Sequence, residues 1–241
     1  MVYAVDHRGH GRTATHSEER GRFGPDGWNR LVADIGQLVE IVRTEQRGVP
    51  LALYGHSMGS FAVQQFILDH SDRIDAVVLS GTGAGDALAG AIDTTKPLEL
   101  GAFNAAFEPA RTPFDWLSRD AAEVDAYIAD PLCGFGTDAQ ATADLVAGLA
   151  ASGDPSRLAQ IRSDLPMYIF AGDADPVNAG LVLLTMLEER YRAAGLRDLT
   201  VKVYPGGRHE MLNETNRDEV TTDLLAWLGR VVGDGARSRG G

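Results

Sequence analysis

Apolar residues recur along the chain in two alternating patterns: short buried runs, and longer stretches with helical spacing. The short runs predict strands, and the helical stretches between them are long enough to act as crossovers between parallel strands. The pattern therefore predicts an α/β fold with a mostly parallel, doubly wound sheet. The predicted strands are Val2–Val5, Leu51–Tyr54, Ile74–Leu79, Met167–Ala171 and Thr200–Tyr204.

Helical spacing is clearest ahead of the second strand, where apolar residues recur on one face of a single helix. They are Leu31, Ile35, Leu38, Val39 and Val42. Each predicted helix presents one apolar face to the sheet. The predicted helices are Asn29–Arg43, Ser60–His70, Ala179–Ala194 and Arg217–Val232.

Residues 81–165 break the alternation, with several helix-like runs and no clear strand. We expect a helical cap inserted between two strands of the core. Its aromatic residues would form the cap's own interior and also roof an apolar pocket. They are Phe103, Phe107, Phe114, Trp116, Tyr127 and Phe135. The predicted organisation is a core at 1–80 and 166–233, the cap at 81–165 and a disordered tail at 234–241.

Composition narrows the classes of partner. Of 241 residues, 44% are hydrophobic and 23% charged, and the net charge is −12. This acidic balance argues against nucleic acid or an anionic membrane surface as the main partner. Transient contact with a membrane surface stays open, but no apolar run approaches the roughly 20 residues of a membrane span. The oligomeric state is left open.

The single cysteine, Cys133, has no partner for an internal disulfide, which fits a reducing compartment. Met1 leads directly into the first predicted strand, with no signal peptide. The expected location is cytoplasmic by default, although a missing N-terminal segment would hide an export signal.

The second predicted strand leads straight into a helix through Gly55-His56-Ser57-Met58-Gly59. A strand that turns into a helix through G-x-S-x-G is typical of a nucleophile elbow. Ser57 would then sit on a strained turn with its hydroxyl exposed. Glycine at 55 and at 59 would remove side chains that clash where strand and helix meet.

A serine hydroxyl needs a base to accept its proton and a carboxylate to orient that base. His209 follows the last predicted strand, and Asp173 and Asp175 follow the strand before it. The carboxyl ends of parallel strands meet at one edge of the sheet, so these residues are expected beside Ser57. Either aspartate could instead cap a helix, and spacing alone leaves the choice between them open.

The loop after the first strand carries residues that could suggest a metal site: Asp6, His7, His10 and His16. They lie on a glycine-rich loop without a helical i, i+4 pair, which favours a hydrogen-bonded loop over a metal centre. No cofactor is expected.

Six motifs resemble the α/β-hydrolase superfamily, and within it the monoacylglycerol lipase and lysophospholipase-like branch, which is also described as serine aminopeptidase-like. They are DHRGHG at Asp6–Gly11, GHSMG at Gly55–Gly59, FDWLSRD at Phe114–Asp120, DPLCGF at Asp130–Phe135, GDADPV at Gly172–Val177 and YPGGRHEMLNE at Tyr204–Glu214. The resemblance runs from Val2 to about Val232.

The resemblance implies that Ser57 is the nucleophile, His209 the base and Asp175 the acid. It implies hydrolysis of a small-molecule ester of a long-chain acyl group, with no cofactor. The Met58 N–H would supply one donor of the oxyanion hole. A small-ester esterase or an aminopeptidase-like hydrolase is the alternative within the class.

The family has three further strands before the one that resembles Val2–Val5, and a His-Gly loop that supplies the second oxyanion donor. This sequence has neither, so the expected fold is N-terminally truncated. Either the recorded start lies too late, or the chain is a shortened paralogue. A shortened paralogue could bind acyl ligands without turning them over, since one missing donor reduces the rate about a hundredfold or more.

Overall fold

A computed structural model describes residues 1–238 of the chain. Its strands form one parallel sheet in the order β1-β2-β3-β4. The strands are β1, Ala52–His56; β2, Ala76–Ser80; β3, Met167–Gly172; and β4, Leu199–Tyr204. Every residue of β2 and β3 is buried, as expected for parallel strands with helices on both faces. The α/β class predicted from the sequence is confirmed.

Helices flank and connect the strands. The first two are α1, Gly27–Glu45, and α2, Met58–His70. Between β2 and β3 lie α3, Gly85–Ala89; α4, Ala121–Ala129; α5, Ala139–Ala151; and α6, Pro155–Leu158. The chain then forms α7, Val182–Ala193, and α8, Arg217–Ser238.

Apolar side chains form a cluster on each face of the sheet. The larger cluster joins the sheet to α1, α2, α5 and α7, and the smaller one joins it to α8 through Tyr168, Phe170 and Trp227. Leu145 and Leu149 of α5 belong to the larger cluster, although α5 lies in the segment predicted as a cap. The cap segment is therefore packed into the main core along α5.

The strand predicted at Val2–Val5 is wrong. This segment forms no ladder with β1, and the side chain of Val2 is 91% exposed. Tyr3 instead donates a hydrogen bond to Glu45 and accepts one from Gln46 at the end of α1. The segment lies along a helix end, where apolar residues in sequence cannot form a strand without a partner.

The last helix extends past its predicted end at Val232. Its backbone is helical to Ser238, so the tail predicted as disordered from residue 234 is helical over its first part. Residues 239–241 of that predicted tail lie outside the described residues.

Candidate active site

Ser57 occupies the turn between β1 and α2. Its backbone has φ 51° and ψ −125°, which is a strained conformation for a residue with a side chain. A Cβ added at Gly55 would lie 2.6 Å from the Gly59 carbonyl oxygen and 2.8 Å from the Ser60 Cα. The turn is therefore so tight that only glycine fits at position 55.

At Gly59, by contrast, a side chain would meet no clash with the strand. Outside its own helix, the nearest atom to an added Cβ would be Nε2 of His7 at 3.6 Å, an ordinary contact. The expectation that glycine at 59 relieves a clash between strand and helix is wrong. The clash falls on the Gly55 side, because the helix backbone at residues 59 and 60 passes directly over it.

His209 links Ser57 to Asp175. Its Nε2 lies 2.8 Å from the Ser57 Oγ, and its Nδ1 lies 3.0 Å from each carboxylate oxygen of Asp175. His209 is 2% exposed and Asp175 1% exposed. A carboxylate only accepts hydrogen bonds, so the proton of a neutral His209 sits on Nδ1 and Nε2 accepts from the serine hydroxyl. This arrangement can take a proton from Ser57.

The two candidate aspartates have different surroundings. Asp175 faces His209 and also accepts a hydrogen bond from the Val177 N–H at 2.9 Å, so it caps a short helix as well. Asp173 accepts from the Gly206 N–H at 2.6 Å and ties the two loops after β3 and β4 together. The structure brings Asp175, and not Asp173, to the histidine.

Two rings flank His209. The ring centroid of Trp116 lies 4.7 Å away and that of His56 lies 4.9 Å away. Burial lowers the pKa of His56 to about 3, so this ring is neutral. A Cβ at Gly81 would come within 2.9 Å of both histidine rings, so glycine at 81 leaves the room they need. The sequence predicted His56 in the elbow and Trp116 as a pocket aromatic, but it did not indicate that Trp116 and Gly81 flank His209.

The loop that carries His209 is bound to the segment around Trp116. The N–H groups of His209 and Glu210 donate to the carbonyls of Trp116 and Leu117, at 3.3 and 2.8 Å. The Glu214 carboxylate, fully buried, accepts from the Arg119 N–H and side chain and from the Arg208 N–H. Burial alone would raise the pKa of Glu214, but these hydrogen bonds lower it below its usual value.

Glu214 was not singled out from the sequence. Both residues of the pair do lie in family motifs, Arg119 in Phe114–Asp120 and Glu214 in Tyr204–Glu214. Their pairing across 95 positions has no local pattern that would reveal it.

An apolar cavity of about 180 Å³ opens beside Ser57. The aromatic residues Phe103, Trp116 and Phe135 line it, as predicted for the roof of a pocket. The other predicted aromatics do not: Phe107 lies under the Arg208 guanidinium, and Phe114 packs on Tyr127. The remaining lining residues are His10, Met58, Phe61, Leu88, Ile92, Leu98, Leu100, Gly136, Thr137, Leu145, Leu149 and Val177.

Met58 is the first residue of α2, so its N–H has no acceptor within the helix. This donor follows Ser57 directly at the mouth of the cavity. A larger, more open groove of about 600 Å³ lies elsewhere, beside Arg8, Thr13 and Glu19, and no residue of the Ser57–His209–Asp175 line borders it. The apolar cavity is the one that Ser57 lines.

The loop at residues 6–12 is hydrogen-bonded. Asp6 accepts from the Arg12 N–H, and the His10 Nδ1–H donates to the Arg8 carbonyl at 2.9 Å. His10 also packs on Phe135 and lines the cavity, which the sequence did not indicate. Among the side chains that the structure describes, no three His, Cys, Asp or Glu come together as metal ligands would. No helix in that part of the chain combines the length and the apolar character needed to cross a membrane.

Comparison with known proteins gives concordant matches. The sequence model of the family described as serine aminopeptidase, S33 matches residues 1–216. A monoacylglycerol lipase of Mycolicibacterium smegmatis is 30% identical, over 95% of this chain and 78% of the lipase. The human monoglyceride lipase is 28% identical, over 93% of this chain and 70% of the lipase.

Solved structures agree with the sequence matches. The crystal structure of a highly thermostable carboxyl esterase from Bacillus coagulans has a TM-score of 0.83 at 26% identity, covering 94% of this chain and 79% of the esterase. Together these matches confirm the α/β-hydrolase fold and the resemblance drawn from the motifs.

Proposed function

The chain belongs to the serine aminopeptidase S33 family of α/β-hydrolases, and on that premise we propose that it hydrolyses carboxylic esters of long-chain acyl groups. The substrates would be of the monoacylglycerol or lysophospholipid type. The observation that carries the proposal is the hydrogen-bonded line Ser57–His209–Asp175 at the mouth of an apolar cavity.

The geometry supports a two-step mechanism. Ser57 Oγ attacks the ester carbonyl while His209 Nε2 accepts its proton, and Asp175 stabilises the imidazolium that forms. The Met58 N–H donates to the developing oxyanion. His209 then passes its proton to the leaving alcohol, and a water molecule hydrolyses the acyl-enzyme by the same route.

The cavity supports an acyl group as the part of the substrate that is recognised. Its volume of about 180 Å³ is close to the roughly 150 Å³ of an apolar protein cavity that holds one benzene ring. It would thus enclose about six carbons of an acyl chain, and a longer chain would extend through the mouth. Two relatives named as monoacylglycerol and monoglyceride lipases favour a monoacylglycerol as the substrate.

An aminopeptidase is the alternative that the family description suggests. Such an enzyme must bind the positively charged amino terminus of a peptide, for which a carboxylate is the natural partner. None of the residues lining the cavity in the described part of the chain is Asp or Glu. This apolar lining favours an ester with an apolar acyl chain.

The test combines two readouts. A fluorophosphonate probe should label Ser57, located by mass spectrometry, and Ser57→Ala should abolish labelling and turnover of p-nitrophenyl esters. Ser17 is exposed, so Ser17→Ala serves as the control and should keep both probe labelling and ester turnover. Retained turnover in Ser57→Ala would contradict the proposal.

The substrate class is tested with p-nitrophenyl esters of two to sixteen carbons and with monoacylglycerols. We expect kcat/KM to rise steeply up to about six carbons, the length that the cavity encloses, and to stay high for longer chains. Highest activity on the acetate ester would favour a small-ester esterase. Labelling of Ser57 without turnover of any ester would favour an acyl-binding protein.

A further inference from the structure

Trp116 packs against the histidine that the proposed function makes the base. The two ring centroids are 4.7 Å apart and the planes are tilted by 40°. Trp116 is 3% exposed and also lines the cavity beside Ser57. A cation within about 6 Å of an indole centroid is attracted by the negative face of the ring. His209 becomes such a cation each time it takes the serine proton.

The surroundings of His209 leave the indole a defined electrostatic role. Asp175 faces the Nδ1 edge of the ring, and His56 packs beside the ring at 4.9 Å. Burial lowers the pKa of His56 to about 3, so it brings no opposing charge near neutral pH. Arg208 and Glu210 are the charged neighbours on the loop itself, and the Arg208 guanidinium is directed to the carbonyls of Asp115 and Ser118.

Trp116 is held in place from several sides. Its backbone N–H donates to the Asn104 side chain at 2.9 Å, and Asn104 in turn donates to the Thr112 carbonyl. The ring of Phe103 packs on the indole with centroids 5.0 Å apart. The Trp116 carbonyl accepts from the His209 N–H, so indole and imidazole are fixed relative to each other by their own backbones.

We propose that Trp116 is a positioning residue whose indole face stabilises the protonated form of His209 during ester hydrolysis. The inference rests on the proposed function, because it needs His209 to act as the base. The segment between β2 and β3 would then supply part of the electrostatic stabilisation of the base. A residue that only lined the cavity would affect substrate binding and, by excluding water from His209, would disfavour the protonated form, the opposite of the effect proposed for the indole.

The expected signature lies in the pH dependence of kcat/KM. Activity requires neutral His209, so the acid limb of the profile reports how strongly the free enzyme favours the protonated ring. The indole face favours the protonated ring over the neutral one, so removing it favours the neutral, active form. Trp116→Leu should therefore shift the acid limb to lower pH by about half a unit, and lower the plateau about three- to tenfold. Trp116→Phe, which keeps a weaker aromatic face, should fall between Leu and the wild type.

Trp227→Leu is the matched control. Trp227 is also buried, packs on Tyr168 on the opposite face of the sheet, and like Trp116 has an indole N–H without a hydrogen-bond partner in the described residues. Its loss should lower the unfolding temperature and leave the acid limb in place. Thermal unfolding of both variants separates stability from the pH effect.

The outcomes are distinct. An acid limb of Trp116→Leu that superimposes on the wild type, or a shift to higher pH, would overturn the role of Trp116. Turnover retained in Ser57→Ala would instead overturn the proposed function itself. A limb that shifts equally in Trp227→Leu would also count against Trp116, since the shift would then follow general loss of packing.

Discussion

Replacing Asp175 and Asp173 separately by Asn tests which carboxylate orients the proposed base. In Asp175→Asn the Val177 N–H, now 2.9 Å from the Asp175 Oδ1, would hold the amide oxygen at that position. The amide nitrogen, a donor, would then lie about where Oδ2 now lies, 3.0 Å from the His209 Nδ1. A donor there favours the tautomer with its proton on Nε2, which cannot accept the proton of Ser57.

The magnitude follows from the lost charge. A carboxylate 3.0 Å from the imidazolium contributes about 5 kcal/mol at an effective dielectric constant near 20, equivalent to about 10⁴ in rate. An acid-to-amide change in a serine protease triad lowers kcat by about the same factor. Asp173→Asn keeps an oxygen that can accept from the Gly206 N–H, so its loss should stay below about tenfold.

The assay is steady-state hydrolysis of a p-nitrophenyl ester, with far-UV circular dichroism and thermal unfolding to establish that both variants fold. We expect kcat of Asp175→Asn to fall by three to four orders of magnitude, with KM little changed. A larger loss in Asp173→Asn than in Asp175→Asn, with both variants folded, would refute the assignment.

Two predictions concern stability. In Gly148→Ala the new Cβ would lie 1.9 Å from the Trp28 ring, so the free energy of unfolding should fall by about 2 kcal/mol despite the better helix propensity of Ala. Gly229 has open space around it, so Gly229→Ala should raise the free energy of unfolding by about 0.5–1 kcal/mol. Urea denaturation of the two variants measures both changes, and equal effects would contradict the packing argument. Burial lowers the pKa of His56 to about 3, below its value of about 6.5 in the unfolded chain. Between these two pH values the unfolded state binds a proton that the folded state does not, so the free energy of unfolding falls as the pH falls. Between pH 7 and 5 this group should remove about 2 kcal/mol, and urea titrations of His56→Gln should lack that part of the loss.

The features that the sequence predicted correctly depend on local pattern. The strands β1 to β4 appear as apolar runs because buried parallel strands need no polar positions. Gly55 was explained correctly because the tight turn involves only its immediate neighbours. The proximity of Asp175 and His209 followed from parallel topology, which brings successive carboxyl ends of strands to one edge.

The features that were missed depend on contacts across the chain. Val2–Val5 has the composition of a strand, but only a pairing partner makes a strand, and Tyr3 meets the end of α1 instead. Spacing alone left Asp173 and Asp175 open, because the choice depends on the path of two loops; only the family resemblance implied Asp175. The sequence predicted Trp116 as one of six cap aromatics. Nothing in its spacing distinguishes a residue that contacts His209 from one that only lines a cavity.

The pairing of the His209 loop with the segment 116–119 limits how this site can open. The N–H groups of His209 and Glu210 bind the carbonyls of Trp116 and Leu117, and Glu214 bridges both sides with a fully buried carboxylate. Removing such a charge from its donors costs about 3–5 kcal/mol. A movement that carried this segment away would therefore dismantle the base. Leu98 and Leu100 also line the cavity and take no part in these hydrogen bonds, so a movement confined to them would leave the base in place.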